Sequence, residues 1–204
     1  MWQSVAKAIG ALTAGDDAAR QYDIAAERIQ SALLNITAPK VQGLDVGIHA
    51  EPARLVGGDY IDVFTRGDHL LFGLGDASGK SLGAAINALM LRYLLRGLIQ
   101  VLGHGELATI AGHANDVVLE DLDETDYFIT LLLGTIDAGS GRFEVVNAGH
   151  EPPLVLRRSA NDVEVMGRHG IVLGVEPGAR YAIQETTLEL GDRAYVLEAG
   201  SLVL

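Results

Sequence analysis

The sequence predicts an α+β domain in which helices pack against antiparallel sheets. Three observations carry this reading. Short β-rich runs joined by hairpin-length turns occupy both ends of the chain, two helix-patterned segments fill the middle, and strands do not alternate singly with helices as a parallel βαβ sheet requires. With 204 residues, 49% of them apolar, the chain is long enough for one sizeable core, and no repeat or low-complexity linker divides it.

Residues 1–15 read as a leader: one Lys and a weakly apolar stretch broken by Gly10 lack the long uninterrupted core of a secretory signal. Residues 16–34 place Ala18, Ile24, Ala25, Ile29, Leu33 and Leu34 near helical spacing, with Asp16 or Asp17 as N-cap and Pro39 at the exit, so 16–40 is expected to be a linker helix. A strand is expected over 44–50, ended by Glu51-Pro52. Residues 59–65 and 69–75 read as two strands around the two-residue turn Gly67-Asp68.

A long helix is expected over 81–101, because Leu82, Ala85, Ile86, Leu89 and Tyr93 fall at three- and four-residue steps. Its apolar stretch, 82–102, is interrupted by Asn87, Arg92, Arg96 and Gly97, so it is expected to be a core helix without membrane insertion. A second helix is expected over 106–119, after Gly103 and Gly105. Residues 127–136 and 142–146 read as a hairpin closed by Asp137-Ala138-Gly139-Ser140-Gly141, and further strands are expected at 153–156, 163–166, 181–190 and 194–197.

Fifteen Lys and Arg against 27 Asp and Glu give a net charge of −12, which repels phosphate backbones and anionic lipid surfaces, so nucleic acid is not an expected partner. Any phosphate chemistry must then rest on locally placed cations. The absence of cysteine excludes disulfides, thiol catalysis and zinc–thiolate sites, leaving oxygen and imidazole as metal donors.

Counting outward from Gly67-Asp68 pairs Arg66 with His69 and puts Asp59 opposite Asp76. Directly opposed side chains have Cβ atoms about 5 Å apart. The same face holds Ile61, Val63, Leu70, Phe72 and Leu74, so the two carboxylates sit at the rim of an apolar surface. They repel each other unless a proton or cation intervenes, and a hard cation, Mg²⁺ or Mn²⁺, suits an all-oxygen site. Glycines at 57, 58, 73, 75 and 79 let backbone approach the ion, and the Ala77 carbonyl is a candidate third ligand. The alternative is that both acids are turn residues, as Gly-Asp pairs often are.

Gly79-Lys80-Ser81 opens a helix after a strand, where a phosphate-binding loop would sit. The glycine that this loop requires would fall at Leu74, which excludes it. Asp121, Asp123, Glu124 and Asp126 lack the glycine and terminal glutamate of a calcium loop and read as a solvated acidic cluster. His150, beside Pro152-Pro153, reads as a turn-fixing histidine. His49, His69, His104, His113 and His169 show no ligand spacing.

Three segments, Gly57-Gly58-Asp59-Tyr60-Ile61-Asp62, Gly75-Asp76-Ala77-Ser78-Gly79-Lys80 and Asn147-Ala148-Gly149-His150-Glu151-Pro152-Pro153, resemble in order and spacing the successive motifs of PPM-type (phosphatase-2C-like) metal-dependent serine/threonine protein phosphatases of the SpoIIE/RsbU branch. Glu27-Arg28-Ile29-Gln30, Leu33-Leu34, Phe128-Ile129-Thr130-Leu131 and Leu173-Gly174-Val175 also match.

The resemblance implies a four-layer αββα sandwich of two antiparallel sheets flanked by helices, with 41–204 as a phosphatase domain whose C-terminal elements are missing. It implies a binuclear Mn²⁺ or Mg²⁺ centre whose bridging water attacks a phosphoserine or phosphothreonine. In that centre Asp76 bridges both ions, Asp59 binds one of them and the Ala77 carbonyl adds a ligand, making the two aspartates the catalytic pair. The family's Thr-Asp-Gly motif reads Glu198-Ala199-Gly200 here, so the second-metal position is lost at Ala199. Lys80 and Arg54 are the nearest cations in sequence, placed either to contact phosphate or to offset acidic charge. The implied partner is a phosphorylated protein of the anti-sigma-factor-antagonist type in bacterial signalling. The implied location is cytoplasmic, and a homodimer through the linker helix is compatible with the family pattern. The alternative is a catalytically degenerate domain that binds a partner through the same surface or through the linker helix.

Overall fold

The computed structural model describes residues 36–50, 57–79, 82–122, 127–167, 170–197 and 202–203, together with positions 21, 24, 25, 28, 29, 31, 33 and 34. Those eight isolated positions are helical, within the span expected of the linker helix, and Leu33 is buried in the core.

A five-stranded antiparallel sheet is built from β1 (Asp59–Arg66), β2 (His69–Ala77), β3 (Ile129–Asp137), β4 (Arg142–Ala148) and β7 (Ile183–Thr187), in the order β1-β2-β3-β4-β7. A second sheet runs β6-β5-β8-β9, from β5 (Leu154–Arg157), β6 (Asp162–Val165), β8 (Arg193–Val196) and β9 (Leu202–Val203). The short β9 is an element that the sequence patterning does not predict. Helices α1 (Leu82–Leu102) and α2 (Leu107–Leu122) lie between β2 and β3 in the chain and pack on the first sheet.

Period-two alternation sorts the first sheet into two faces. Tyr60, Leu71, Ala77, Ile129, Leu131 and Leu133 face the helices and join their buried stripe, Leu82, Ala85, Ala88, Leu91, Leu95 and Ile99 of α1. Ile61, Val63, Leu70, Phe72, Leu74, Leu132 and Phe143 face the second sheet and meet Val155, Met166, Ala194 and Val196. The Phe72 and Phe143 rings lie 5.9 Å apart at 50° in that inter-sheet core, and Gly134 is required beneath Phe72, whose Cζ stands 2.1 Å from where a Cβ at 134 would be.

Sequence patterning and structure agree on the first hairpin. Its turn has positive φ at Gly67 alone (60°), the type II′ arrangement. Helix α1 has the length and composition of a membrane span. Its mid-span arginines instead fasten it to β1, as Arg92 and Arg96 both bond Asp62, and its end is capped by Gly103, which donates to the Ile99 carbonyl at 3.1 Å with φ of 97°.

Residues 45–50 correct the expectation of a strand. Leu44 makes only an isolated bridge to Val41, and 45–50 has no ladder partner among the described residues. Leu44, Val46, Ile48 and Ala50 still alternate inward against the inter-sheet core. The alternation therefore reports which side chains are buried, not hydrogen-bonded pairing.

Candidate metal centre

Asp59 opens β1 and Asp76 stands next to the end of β2, and the hairpin register places them directly opposite one another. Register continues the row onto β3, where Thr130 is the partner of Asp76. All three positions share the parity of the face turned toward the second sheet, and all three are half-buried at one end of the five-stranded sheet. Thr130 Oγ1 accepts the backbone N–H of Asp76 at 3.1 Å.

The third donor of the expected set is shaped by glycine. Ala77 donates its N–H to the Gly58 carbonyl at 3.1 Å. A Cβ at 58 would stand 2.0 Å from the Ala77 oxygen and 2.9 Å from its carbonyl carbon. Only glycine permits this close approach of the two backbones. On the helix side Gly75 makes room for Tyr60, since a Cβ there would meet the ring at 2.4 Å. Two carboxylates and a carbonyl form a hard-oxygen donor set that fits one Mg²⁺ or Mn²⁺ retaining waters. Among the described residues no group of three or more His, Cys, Asp and Glu side chains is gathered at metal-binding distance.

Arg54, Lys80, Glu198 and Ala199 lie outside the described residues, as do Glu51-Pro52, Asp123, Glu124, Asp126 and His169. His69 and His104 come together with ring centroids 4.1 Å apart, although nothing in their spacing announces it. They sit at the turn end of the hairpin, away from the carboxylates. Burial, then the charges of His69 and Arg66, push His104 below the usual histidine range. A groove of about 1420 Å³ is also at that end, lined by Leu70, Ile136, residues 188–192 and the start of β8. Its Asp192 is already held by Arg157.

His150 differs from expectation in an instructive way. The turn after β4 is fixed by Asn147, whose Oδ1 accepts His150 N–H at 2.8 Å and whose Nδ2 donates to the His150 carbonyl at 2.9 Å. The buried imidazole instead reaches Thr130, with Nδ1 3.0 Å from Oγ1. Thr130 is the member of the row that residue-by-residue reading of the sequence misses. Its parity with Leu132 is a usable signal only once β3 is registered against β2. The ion cluster of Asp62 with Arg92 and Arg96 is missed as well, since it joins residues of two elements.

Comparison with known proteins sets this geometry in a family. The model of the SpoIIE family (Stage II sporulation protein E) matches residues 66–197, from the hairpin turn through β8 and past the 147–153 motif; Asp59 lies just before the matched span. The phosphoserine phosphatase RsbU of Bacillus subtilis (strain 168) is 27% identical over 180 residues, covering 88% of this chain and 52% of RsbU. The crystal structure of the RsbU and RsbW domains of Rv1364c from Mycobacterium tuberculosis superposes with a TM-score of 0.64 at 26% identity, over 78% of this chain and 44% of that one. The PP2C phosphatase domain of the cell fate determinant SpoIIE from Bacillus subtilis, with a fragment of its regulatory domain, gives 0.61 at 20% identity over 78% of this chain and 46% of that one, which shows the fold. The chain thus spans about half the length of the RsbU that it matches. With a family model that covers well over half of its residues and a two-sheet architecture shared with PP2C domains, this chain belongs to the SpoIIE family, in the SpoIIE/RsbU branch of the PPM-type phosphatases.

Proposed function

We propose that this chain is a metal-dependent protein serine/threonine phosphatase domain that hydrolyses phosphoserine or phosphothreonine on a signalling partner of the anti-sigma-factor-antagonist type. The observation that carries the reading is the cross-strand opposition of Asp59 and Asp76 in a chain of the SpoIIE family. Asp59, Asp76 and the Ala77 carbonyl are the residues assigned to Mn²⁺ or Mg²⁺. When bound, the ion supplies charge neutralisation at a phosphoryl group and acidifies water, so no cysteine nucleophile is needed.

The chain's own contribution is placement. The β1–β2 ladder holds two like charges side by side, the Thr130 hydroxyl anchors the Asp76 main chain, and Gly58 leaves the Ala77 oxygen room. Lys80 and Arg54 are assigned to the phosphate, countering the repulsion expected from a net charge of −12. We assign 16–40 to a linker helix and 41–204 to the phosphatase domain, with a cytoplasmic location and a homodimer formed through the linker.

A second reading is favoured by one residue. Ala199 stands where the family's Thr-Asp-Gly motif supplies a ligand, so a degenerate domain that binds its partner without turnover accounts for the same sequence. One assay separates the two: Mn²⁺-dependent hydrolysis of a phosphoserine protein and of an aryl phosphate, with Asp76→Asn as control. Turnover abolished by the substitution establishes the enzyme. Mn²⁺ binding that needs Asp59 and Asp76 but yields no turnover establishes the binding module.

A further inference from the structure

We propose that His150 is a positioning residue for the candidate metal edge, acting through Thr130 on the main chain of Asp76. The inference deepens the reading above and rests on it for its catalytic consequence; the hydrogen-bonded relay itself stands on geometry alone.

His150 is only 3% exposed, yet its imidazole is not what closes the turn that carries it. Asn147 does that, bonding both the N–H and the carbonyl of residue 150. The ring crosses to β3, where Nδ1 lies 3.0 Å from Thr130 Oγ1. The same oxygen accepts the Asp76 amide at 3.1 Å.

A threonine hydroxyl has one proton and two lone pairs, and one lone pair is occupied by Asp76 N–H. With Nδ1 unprotonated, the hydroxyl proton points to the ring and the lone pair stays aimed at the amide. With Nδ1 protonated, the ring takes the second lone pair and the first again stays on Asp76. In either tautomer the imidazole locks a rotor that would otherwise turn, and the locked oxygen fixes the peptide plane before Asp76. That plane sets where the Asp76 carboxylate meets Asp59 and, one residue later, where the Ala77 carbonyl lies. Displacement of a reacting group by about 1 Å can cost about a hundredfold in rate, so a buried histidine remote from the ion can govern the site without touching it.

The test is made first on the metal-free protein, by amide hydrogen exchange at Asp76, with melting temperature recorded for each variant. His150→Leu and Thr130→Val should each speed Asp76 exchange about tenfold, the effect of losing one hydrogen bond. The double variant should be no faster than either single one. His150→Asn, whose side-chain amide falls near the position of Nδ1, should restore protection. Unchanged Asp76 exchange in His150→Leu, or an Asn variant that behaves like Leu, would reduce His150 to a packing residue and overturn the proposal.

Should His150→Leu fail to fold, the wild-type protein decides by ¹⁵N NMR: a hydrogen-bonded Nδ1 supports the relay, and a solvent-like one overturns it. Mn²⁺ titration and aryl phosphate kinetics follow, with weaker Mn²⁺ binding and lower kcat at unchanged KM expected for His150→Leu. Wild-type protein that binds no Mn²⁺ would sink the metal reading, while the exchange data would still settle the relay.

Discussion

Arg96 clasps Asp62 with both sides of its guanidinium, Nε to Oδ2 at 2.6 Å and Nη2 to Oδ1 at 2.7 Å, which ties the middle of α1 to β1 three residues from Asp59. Arg92, one turn earlier, adds a third bond at 3.2 Å, and the Arg96 guanidinium lies 4.6 Å over the Phe64 ring. The Asp62 side chain is 5% exposed and that of Arg96 43% exposed, so the carboxylate depends on these donors more than Arg96 depends on it. Arg96→Met should therefore cost about 2 kcal/mol, leaving Asp62 with Arg92. Arg96→Lys should recover less than half of that loss, because an ammonium cannot reproduce the fork. Urea unfolding of the three proteins checks this, and wild-type stability in Arg96→Lys would contradict it.

Gly58 offers a test of whether backbone approach shapes the metal edge. An alanine there meets the Ala77 oxygen at 2.0 Å and its nitrogen at 3.0 Å, both main-chain atoms that cannot step aside. Gly58→Ala should part the ends of β1 and β2, costing about 1–3 kcal/mol and weakening Mn²⁺ binding. Gly67→Ala is the control: at φ of 60° with open space around it, it should cost about 1 kcal/mol and leave Mn²⁺ binding alone. Equal Mn²⁺ affinity in both variants would remove Gly58 from the site.

What was legible in the sequence follows from how far each constraint reaches. A two-residue turn and a period of two fix the register of a hairpin without tertiary information, so Asp59 opposite Asp76 can be counted off the chain. The existence of α1 is equally local, but of the face counted for it only Leu82 and Ala85 are buried; Tyr93 is 66% exposed and the buried stripe runs on through Ala88, Leu91, Leu95 and Ile99. Residues 45–50 mislead because alternation records burial, which an extended segment lying on a core satisfies without pairing. The Asp62 cluster reads in sequence as two charges interrupting an apolar helix, since its partner is on another element. Thr130 and His150 stay hidden because α1 and α2 separate β2 from β3, and no turn fixes that register.

Acid stability should be traceable to Asp192. Its carboxylate accepts from Arg157 Nη1 at 2.8 Å, from the Arg158 amide at 2.9 Å and from the Glu189 amide at 3.1 Å. Arg157 first, then the two backbone N–H groups, hold it below its ordinary value of 3.8. A depressed carboxylate contributes fully above its unfolded pKa and loses that contribution as pH falls through the folded one. The wild type should thus lose stability below about pH 4, and Asp192→Asn, less stable at neutral pH, should lose less over the same acid range. Parallel urea-midpoint curves for the two proteins from neutral to acid pH would show that Asp192 has no such role.

Burial of Tyr181, with Asp116 and Glu176 near it, raises its phenol from 10.0 to about 12. A raised acid favours the neutral form in the folded state, so its contribution is complete below the unfolded value and disappears as pH rises through the folded one. Ultraviolet titration of the folded protein should show a late-ionising tyrosine that is missing in Tyr181→Phe, and the variant should tolerate alkali better. A Tyr181→Phe titration superimposable on wild type above about pH 11 would reject the assignment.

Two threonines on β3 should respond oppositely to the same substitution. Thr135 is 2% exposed, and among the described residues its hydroxyl has no hydrogen-bond partner. It shares the helix-facing parity of Leu131 and Leu133, between Leu71 on β2 and Glu144 on β4. Thr135→Val keeps shape and strand propensity while removing an orphaned hydroxyl, and it should stabilise by about 1 kcal/mol. Thr130→Val breaks the bonds to Asp76 N–H and His150 Nδ1, and should destabilise by about 1 kcal/mol or more. Thermal melts of the pair decide it, each about 2–4 °C from wild type in opposite directions. A fall in Thr135→Val would mean that the hydroxyl has a partner, such as a buried water, and that the two positions differ in exposure rather than in satisfaction.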